Sequence, residues 1–517
     1  MIPGIGYRVS GIGKEIFLCL ISAVLLVFSF PNFNLWIFAW VSFVPLFFAA
    51  ENKSRTKAFL LFYLAGLIFW LGTIYWLIHV TLPGMIILAL YLAVYFGIFG
   101  FIISYPLPLT PYPLLFIPCL WVVLEYLRGY LFTGFPWALL AYSQYRNLPI
   151  IQIADLTGCW GVSFLIMMVN VAIYSVCGSR FSVLGRKSRL LLPLACILLS
   201  LIYGYYRIYR APDIEHWTPI KISVIQPNIP QHLKWDTRAR DFILQRYLSL
   251  TGQAAKDRPD LIIWPEAALP ATPEEIPDYY QMVRDSVTRI KAPLLLGAVT
   301  RRQELYYNSA LLLSPAGQLL AAYHKLHLVP FGEYIPLRKW LGFLEKAVPI
   351  ADFTPGSQYA IFSYPLPLTP YPYKFAVLIC FEDLFPELSR QFVKRGVDFL
   401  VNITNDAWFG YSSAPYQHLQ ASVFRAVENR VALVRAANTG ISGFITASGK
   451  VISLVGDCGG RNIFTAGYKT AEINLKRRNL SFYSRYGDLF LGGCLLLVLY
   501  AIIPLFNPLR KSPRPKD

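Results

Sequence analysis

A series of apolar runs long enough to cross a lipid bilayer constrains this chain more than any other feature. They lie near residues 15–31, 34–50, 58–79, 84–104, 114–132, 161–178 and 190–206, with one more near 488–506. A spanning helix takes about 20 predominantly apolar residues, so the first two runs are marginal singly. The Pro31-Asn32 turn between them suits a tight helical hairpin. The first run is followed by further runs and by no small-x-small cleavage site, so it reads as a retained span and not a secretory leader. A mean hydropathy of +0.47 and a hydrophobic content of 56% exclude an ordinary soluble protein.

Charge then orients the spans. The net charge of +18 could indicate nucleic acid, but the basic residues are not interleaved with a recognition motif. They gather beside the apolar runs. Arg8 and Lys14 precede the first, and Lys53, Arg55 and Lys57 separate the second from the third. Arg180, Arg186, Lys187 and Arg189 separate the sixth from the seventh, and Arg510, Lys511, Arg514 and Lys516 follow the last. The short loops near Asn32 and Pro83 carry none. The positive-inside rule therefore predicts cytoplasmic termini and an extracytoplasmic segment at 211–486. The expected organisation is a seven-helix transmembrane bundle over 1–210, a large extracytoplasmic domain over 211–486, and an eighth helix with a basic cytoplasmic tail over 487–517.

Two features of the bundle exceed apolar filler. Glu125 and Arg128 lie three apart on one helical face, where an ion pair fixing the helix and a role in holding substrate are both open. Thr133-Gly134-Phe135-Pro136-Trp137, with Tyr142 and Gln144, breaks the helical period and reads as a re-entrant or interfacial aromatic segment. The decapeptide Ser-Tyr-Pro-Leu-Pro-Leu-Thr-Pro-Tyr-Pro occurs at 104–113 and again at 363–372. Its prolines bar helix and central strand, so it reads as an element tolerated in loops, with no function assigned.

From Ile220 onward short β-branched runs alternate with helical stretches. Ile220–Gln226, Leu261–Trp264, Pro293–Val299, Ser309–Leu313, Leu319–Tyr323, Phe375–Cys380, Phe399–Thr404, Ala432–Ala436 and Gly443–Thr446 read as strands. Runs apolar throughout imply strands buried on both faces, covered by helices near 237–256, 274–291 and 415–430. A layered α/β domain results.

Three motifs place chemistry at the ends of such strands: Trp264-Pro265-Glu266, Tyr323-His324-Lys325-Leu326 and Ile379-Cys380-Phe381-Glu382-Asp383. A lone buried Cys is usually a small hydrophobe. A thiol becomes a nucleophile only as thiolate, which needs a base and a neighbouring cation. Glu266 can supply the first and Lys325 the second, and Lys325 can also hold the oxyanion of acyl transfer. No His is required, so His324 reads as structural, and no Gly-x-Ser-x-Gly elbow marks a serine lipase. Six His and eight Cys are scattered without metal-ligand spacing, so neither a metal nor a cofactor is expected. Cys19, Cys119, Cys177, Cys196 and Cys494 fall in apolar runs as packing residues, while Cys159 and Cys458 lie at loop-like positions.

The three motifs, with Pro330-Phe331-Gly332-Glu333-Tyr334 downstream of the lysine, resemble the signature regions of the nitrilase or carbon–nitrogen hydrolase superfamily. With the apolar runs, the chain is similar to the apolipoprotein N-acyltransferases, a bacterial family within it. Gln226-Pro227-Asn228, Lys234-Trp235-Asp236, Asn405-Asp406-Ala407-Trp408-Phe409 and Arg435-Ala436-Ala437-Asn438-Thr439-Gly440 extend the resemblance to essentially the whole chain. It implies a polytopic α-helical membrane bundle plus an α-β-β-α nitrilase-like domain. It also implies a Glu266–Lys325–Cys380 triad, with Glu333 as a second carboxylate and Glu382 steadying the nucleophile loop. Trp235, Phe331 and Trp408 would admit lipid, although Phe331 and Trp408 can equally be core aromatics. The implied reaction moves an acyl group from a phospholipid, phosphatidylethanolamine by resemblance, through a Cys thioester to the N-terminal amine of S-diacylglyceryl apolipoproteins. The expected setting is a monomer in the bacterial inner membrane with its site on the periplasmic side. The rival is a membrane-anchored amidase or nitrilase that uses the same triad on water. Phe381 departs from the family, where Tyr often follows the nucleophile.

Overall fold

A run of apolar residues in lipid has no water to satisfy its backbone, and helix is the local solution. The computed structural model describes residues 11–105, 113–177, 186–209, 218–335, 352–365, 372–475 and 479–502. Arg8, Arg180, Arg510, Lys511, Arg514, Lys516, the side chains of Arg186, Lys187 and Arg189, and most of both decapeptide copies lie outside the described residues. The chain divides into two units, one ending at Tyr205 and resuming at Asp488, the other running from Tyr206 to Gly487.

In the first unit, five helices among the described residues are long and apolar enough to cross a membrane: Arg55–Thr73, Leu82–Ile103, Pro113–Thr133, Cys159–Cys177 and Leu190–Tyr209. Gly11–Phe28 forms a helix of 18 residues, and Leu489–Ile502 a shorter apolar one. Ser54 and Thr81 cap two of them, accepting from the amides of Lys57 and Gly84. Small residues let helices approach closely: a Cβ on Gly100 would stand 2.5 Å from the Phe62 ring. The second apolar run is not one continuous helix. It forms a 3₁₀ turn, Trp36–Trp40, and a short helix, Val44–Ala49, because Pro45 can open a helix but cannot lie within one without losing a hydrogen bond. Of the basic loop residues, Lys53 and Lys57 meet Glu15 at 2.5 and 2.8 Å. The positive-inside argument counts Lys and Arg, not net charge, so this pairing leaves it standing.

Beyond the exposed Phe132 the aromatic segment is largely buried and irregular, with Trp137, Tyr142 and Gln144 in the interior. Its backbone needs partners, and Glu125 and Arg128 supply them. Arg128 Nη1 donates to the carbonyls of Phe135 at 2.7 Å and Trp137 at 2.9 Å. Glu125 Oε1 accepts from the Leu140 amide at 2.7 Å. The charged pair therefore organises non-helical backbone within an apolar unit. Cys159, loop-like in sequence, instead begins a helix and is buried.

The second unit contains, among the described residues, twelve strands: β1 Thr218–Gln226, β2 Leu261–Ile263, β3 Leu294–Arg302, β4 Leu305–Leu313, β5 Leu319–His324, β6 Phe362–Tyr364, β7 Tyr373–Ile379, β8 Phe399–Thr404, β9 Ala432–Ala437, β10 Gly443–Ile445, β11 Val451–Leu454 and β12 Gly467–Leu475. They form two six-stranded sheets, β12-β1-β2-β3-β4-β5 and β11-β10-β9-β8-β7-β6. In each sheet the inner neighbours are parallel, β1 with β2 and β2 with β3, β7 with β8 and β8 with β9, while the outer ones are antiparallel. The parallel strands β2, β8 and β9 are buried throughout, as their unbroken apolar runs require. Helices Arg240–Ala254 and Pro277–Ile290 cover the first sheet, placing Leu244, Tyr247, Val283 and Val287 against Ile262, Leu294 and Leu296. Helices Pro386–Lys394 and Ala414–Asn429 accompany the second, giving the α-β-β-α layering.

Candidate active site

Four loops leave parallel or edge strands at their carboxyl ends and converge. Glu266 follows β2, Lys325 follows β5, Cys380 follows β7 and Asn405 follows β8. Glu266 sits on a turn pressed against β3. The amides of Ala268 and Leu269 donate to the Gly297 carbonyl, and a Cβ on Gly297 would stand 2.4 Å from the Pro265 oxygen. Only glycine admits that approach.

The Glu266 carboxylate is held at both oxygens. Asn308 Nδ2 donates to Oε1 at 2.8 Å and the Asn405 amide to Oε2 at 2.9 Å. Lys325 Nζ lies 3.8 Å from Glu266 Oε1 and 2.8 Å from Glu333 Oε2. Asn308 Nδ2 also donates to Glu333 Oε1 at 2.8 Å, so one amide group spans both carboxylates. Burial opposes the charge on Lys325, but Glu333 and Glu266 outweigh it and hold the ammonium well above the usual lysine range.

Cys380 opens a 3₁₀ turn, Cys380–Leu384, with φ of +52°, a conformation a non-glycine residue adopts only when its surroundings impose it. Glu382 does much of the imposing. Its Oε1 accepts from the Tyr323 hydroxyl at 2.8 Å and the amides of Leu326 and His327 at 2.7 and 3.1 Å. Its Oε2 accepts from the Ile379 amide at 2.7 Å. One carboxylate thereby ties the Lys325 loop of the first sheet to the Cys380 turn of the second. Burial pushes the Glu382 carboxyl up to about 7, against which these donors and Lys325 favour the ionised form.

Burial also pushes the Cys380 thiol well above its ordinary value; the Glu266 carboxylate raises it further, and Lys325 opposes. The thiol is thus neutral at rest, and its use as a nucleophile would require a base. The Glu266 and Lys325 charges both act on this thiol, in opposite senses.

Glu333 is bonded to Lys325 and to the Val329 amide. Trp235, Phe331 and Trp408 are half-exposed and are not core aromatics. Each adjoins the site in sequence: Trp235 follows Lys234, Phe331 precedes Glu333 by two, and Trp408 follows Asn405 by three. His324 bonds Ser309 at 2.7 Å and packs on Tyr307, away from any thiol role.

Sequence reasoning assigned nothing to Asn308, Asn405 or Lys234. Lys234 Nζ donates to the Glu266 carbonyl at 2.9 Å, and burial lowers its pKa to about 8. Lys234 and Asn405 both stood in motifs that carry the family resemblance, which was the available signal. Asn308 lies mid-strand in β4, where nothing local distinguishes it.

The fold and these loops define an enzyme of the carbon–nitrogen hydrolase superfamily, whose profile matches residues 221–478. A second profile, the apolipoprotein N-acyltransferase N-terminal domain, matches residues 22–172, so the chain is also an integral membrane protein. Curated relatives named apolipoprotein N-acyltransferase align along nearly its full length. The Geobacter metallireducens protein is 39% identical over 501 residues, covering 93% of each chain. The Chlorobaculum tepidum protein is 30% identical over 517 residues, covering 94% of this chain and 95% of its own. The Haemophilus influenzae protein is 32% identical over 459 residues, covering 84% and 85%. The chain belongs to the apolipoprotein N-acyltransferase family.

Proposed function

We propose that this protein N-acylates lipoproteins in two half-reactions through a thioester on Cys380. Glu266 takes the thiol proton as Sγ attacks the carbonyl of a phospholipid ester, the sn-1 ester of phosphatidylethanolamine in our reading. Lys325 Nζ stabilises the oxyanion. Collapse expels the lysophospholipid alkoxide, which takes the proton back from Glu266. The thioester then meets the free α-amine of a diacylglyceryl-modified N-terminal cysteine. Glu266 accepts the amine proton, an amide forms and the thiol is regenerated. Glu333 keeps Lys325 charged, and Glu382 holds the nucleophile turn. Trp235, Phe331 and Trp408 offer apolar surface to the acyl chain. All groups come from one chain, so a monomer suffices.

One observation carries this reading: buried Glu266 and Lys325 and the half-buried Cys380 occur in a chain whose relatives, matched over most of their length, are named apolipoprotein N-acyltransferase. The distribution of Lys and Arg supports cytoplasmic termini and a periplasmic catalytic domain over 211–486 in the inner membrane.

The test incubates purified enzyme with phospholipid alone and measures the mass of the Cys380 peptide. A stable acyl adduct that hydroxylamine removes, and that a diacyl lipopeptide discharges as amide, is expected. Cys380→Ala should load nothing, and Cys380→Ser at most a trace, because an alkoxide is far harder to generate than a thiolate. Unmodified Cys380 with steady release of free fatty acid would favour the amidase-like reading.

A further inference from the structure

Behind the nucleophile turn, the second sheet buries four ionisable side chains that the acyl-transfer steps do not use. His418, on helix Ala414–Asn429, places Nδ1 3.0 Å from Asp406 Oδ1 and Nε2 2.8 Å from Asp383 Oδ1. Arg435, on β9, donates through Nη1 to Asp383 Oδ2 at 3.0 Å and holds Nη2 3.7 Å from Asp406 Oδ2. Ser422 donates to the same Asp383 oxygen. All four ionisable residues are buried.

An ionised carboxylate only accepts hydrogen bonds, so a ring nitrogen facing each carboxylate must carry a proton. Both nitrogens of His418 face one, and the ring is an imidazolium. Burial alone would discharge it; Asp383 and Asp406 outweigh burial, and the pKa is pushed up to about 9. In turn, His418 and Arg435 overcome burial and hold both aspartates below the usual carboxylate range. Two cations thus balance two anions, the condition for keeping any of them out of water.

The location of this quartet gives it a task. His418 Nε2 also lies 3.2 Å from the carbonyl oxygen of Cys380, which accepts from Asn402 Nδ2 at 3.1 Å. Asp383 lies within the turn that carries the nucleophile. Asp406 follows Asn405, whose amide holds the Glu266 carboxylate. We infer that His418 is a positioning residue: its doubly protonated ring, braced between Asp383 and Asp406, locks the Cys380 carbonyl and the Asn405 loop together so that thiol and base stay aligned. The inference rests on the acyl-transfer reading only in the loading assay below.

¹⁵N NMR of wild-type enzyme with labelled histidine reads the ring directly. Among the six His of the chain, one should keep both ring N–H groups through neutral pH and titrate only near pH 9. Its absence would overturn the inference without any variant. The charge-balanced His418→Leu/Asp406→Asn enzyme then removes the donor while leaving one cation against one anion. It should melt near wild type yet load Cys380 with acyl roughly 10–100-fold more slowly, with KM within about twofold. His418→Gln/Asp406→Asn, which retains a donor toward the Cys380 carbonyl, should recover part of that loss. A folded Leu variant that loads at the wild-type rate would sink the proposal. If wild type loads no acyl at all, the acyl-transfer reading fails, and alkylation of Cys380 by iodoacetamide, which needs no lipid, shows the same contrast or refutes it.

Discussion

At the scale of single residues, the site separates three demands on one thiol. In the proposed reaction Cys380 rests as a thiol, its proton held by desolvation and the Glu266 charge, Glu266 would remove that proton on attack, and Lys325 would meet the charge that develops. Glu266→Gln and Lys325→Met are close to isosteric and should fold. Each should lower turnover roughly 10²-fold or more, the scale of losing a general base or an oxyanion donor. The pH response separates them. Without Glu266 the thiol depends on solvent to lose its proton, so acyl loading by Glu266→Gln should climb with pH across the range where wild type is flat. Lys325→Met should stay low at every pH, because the missing cation is not replaced by hydroxide. Stopped-time loading of Cys380 followed by mass spectrometry checks both. Near-normal turnover in either variant would show its role misassigned. Glu266, Lys325 and Cys380 were legible as candidates because each sits in a short motif just after an apolar strand. Asn308 and His418 were not, because a single polar residue within a strand or helix looks like any other until its partners are known; Asn405 stood in a motif, but its bond to Glu266 comes only with the fold.

At the scale of elements, the catalytic geometry depends on how closely backbone segments approach. The Glu266 turn rests on β3 at Gly297, with no room for a methyl group between them. Gly297→Ala should therefore displace the turn and lower kcat by roughly 10-fold or more, since misplacement of about 1 Å can cost 10²-fold. The accompanying loss of stability should be about 1–3 kcal/mol, typical of overpacking. Thermal melts and turnover measured on one preparation test this, and a variant with wild-type turnover would refute it. The central strands were readable as continuous apolar runs. The edge strands β6, β11 and β12 were not, because their side chains are mostly exposed or half-buried and carry no unbroken run. The helix Pro386–Lys394 was likewise missed, a short stretch directly behind the nucleophile motif.

At the scale of the whole molecule, one chain joins an apolar helical unit to a two-sheet enzyme unit, and the reaction needs its site on the side where lipoprotein N-termini are exposed. Reporter fusions at Gly185 and after Asp517 should behave as cytoplasmic, and one near Pro212 as exported. The reverse pattern would separate the site from its acceptor, whatever the triad does. The sequence by itself determined the features that depend on neighbours along the chain: which runs are apolar enough for lipid, where basic residues flank them, where central strands lie, and the Glu266, Lys325 and Cys380 motifs at their ends. Only the tertiary structure decided why Glu125 and Arg128 are buried. It alone joined Glu382 to two loops from different sheets and His418 to a turn 38 residues away. The reason is physical. Hydrophobic period and turn chemistry act over a few residues, whereas a buried charge is tolerable only beside partners that arrive from distant strands in one particular register.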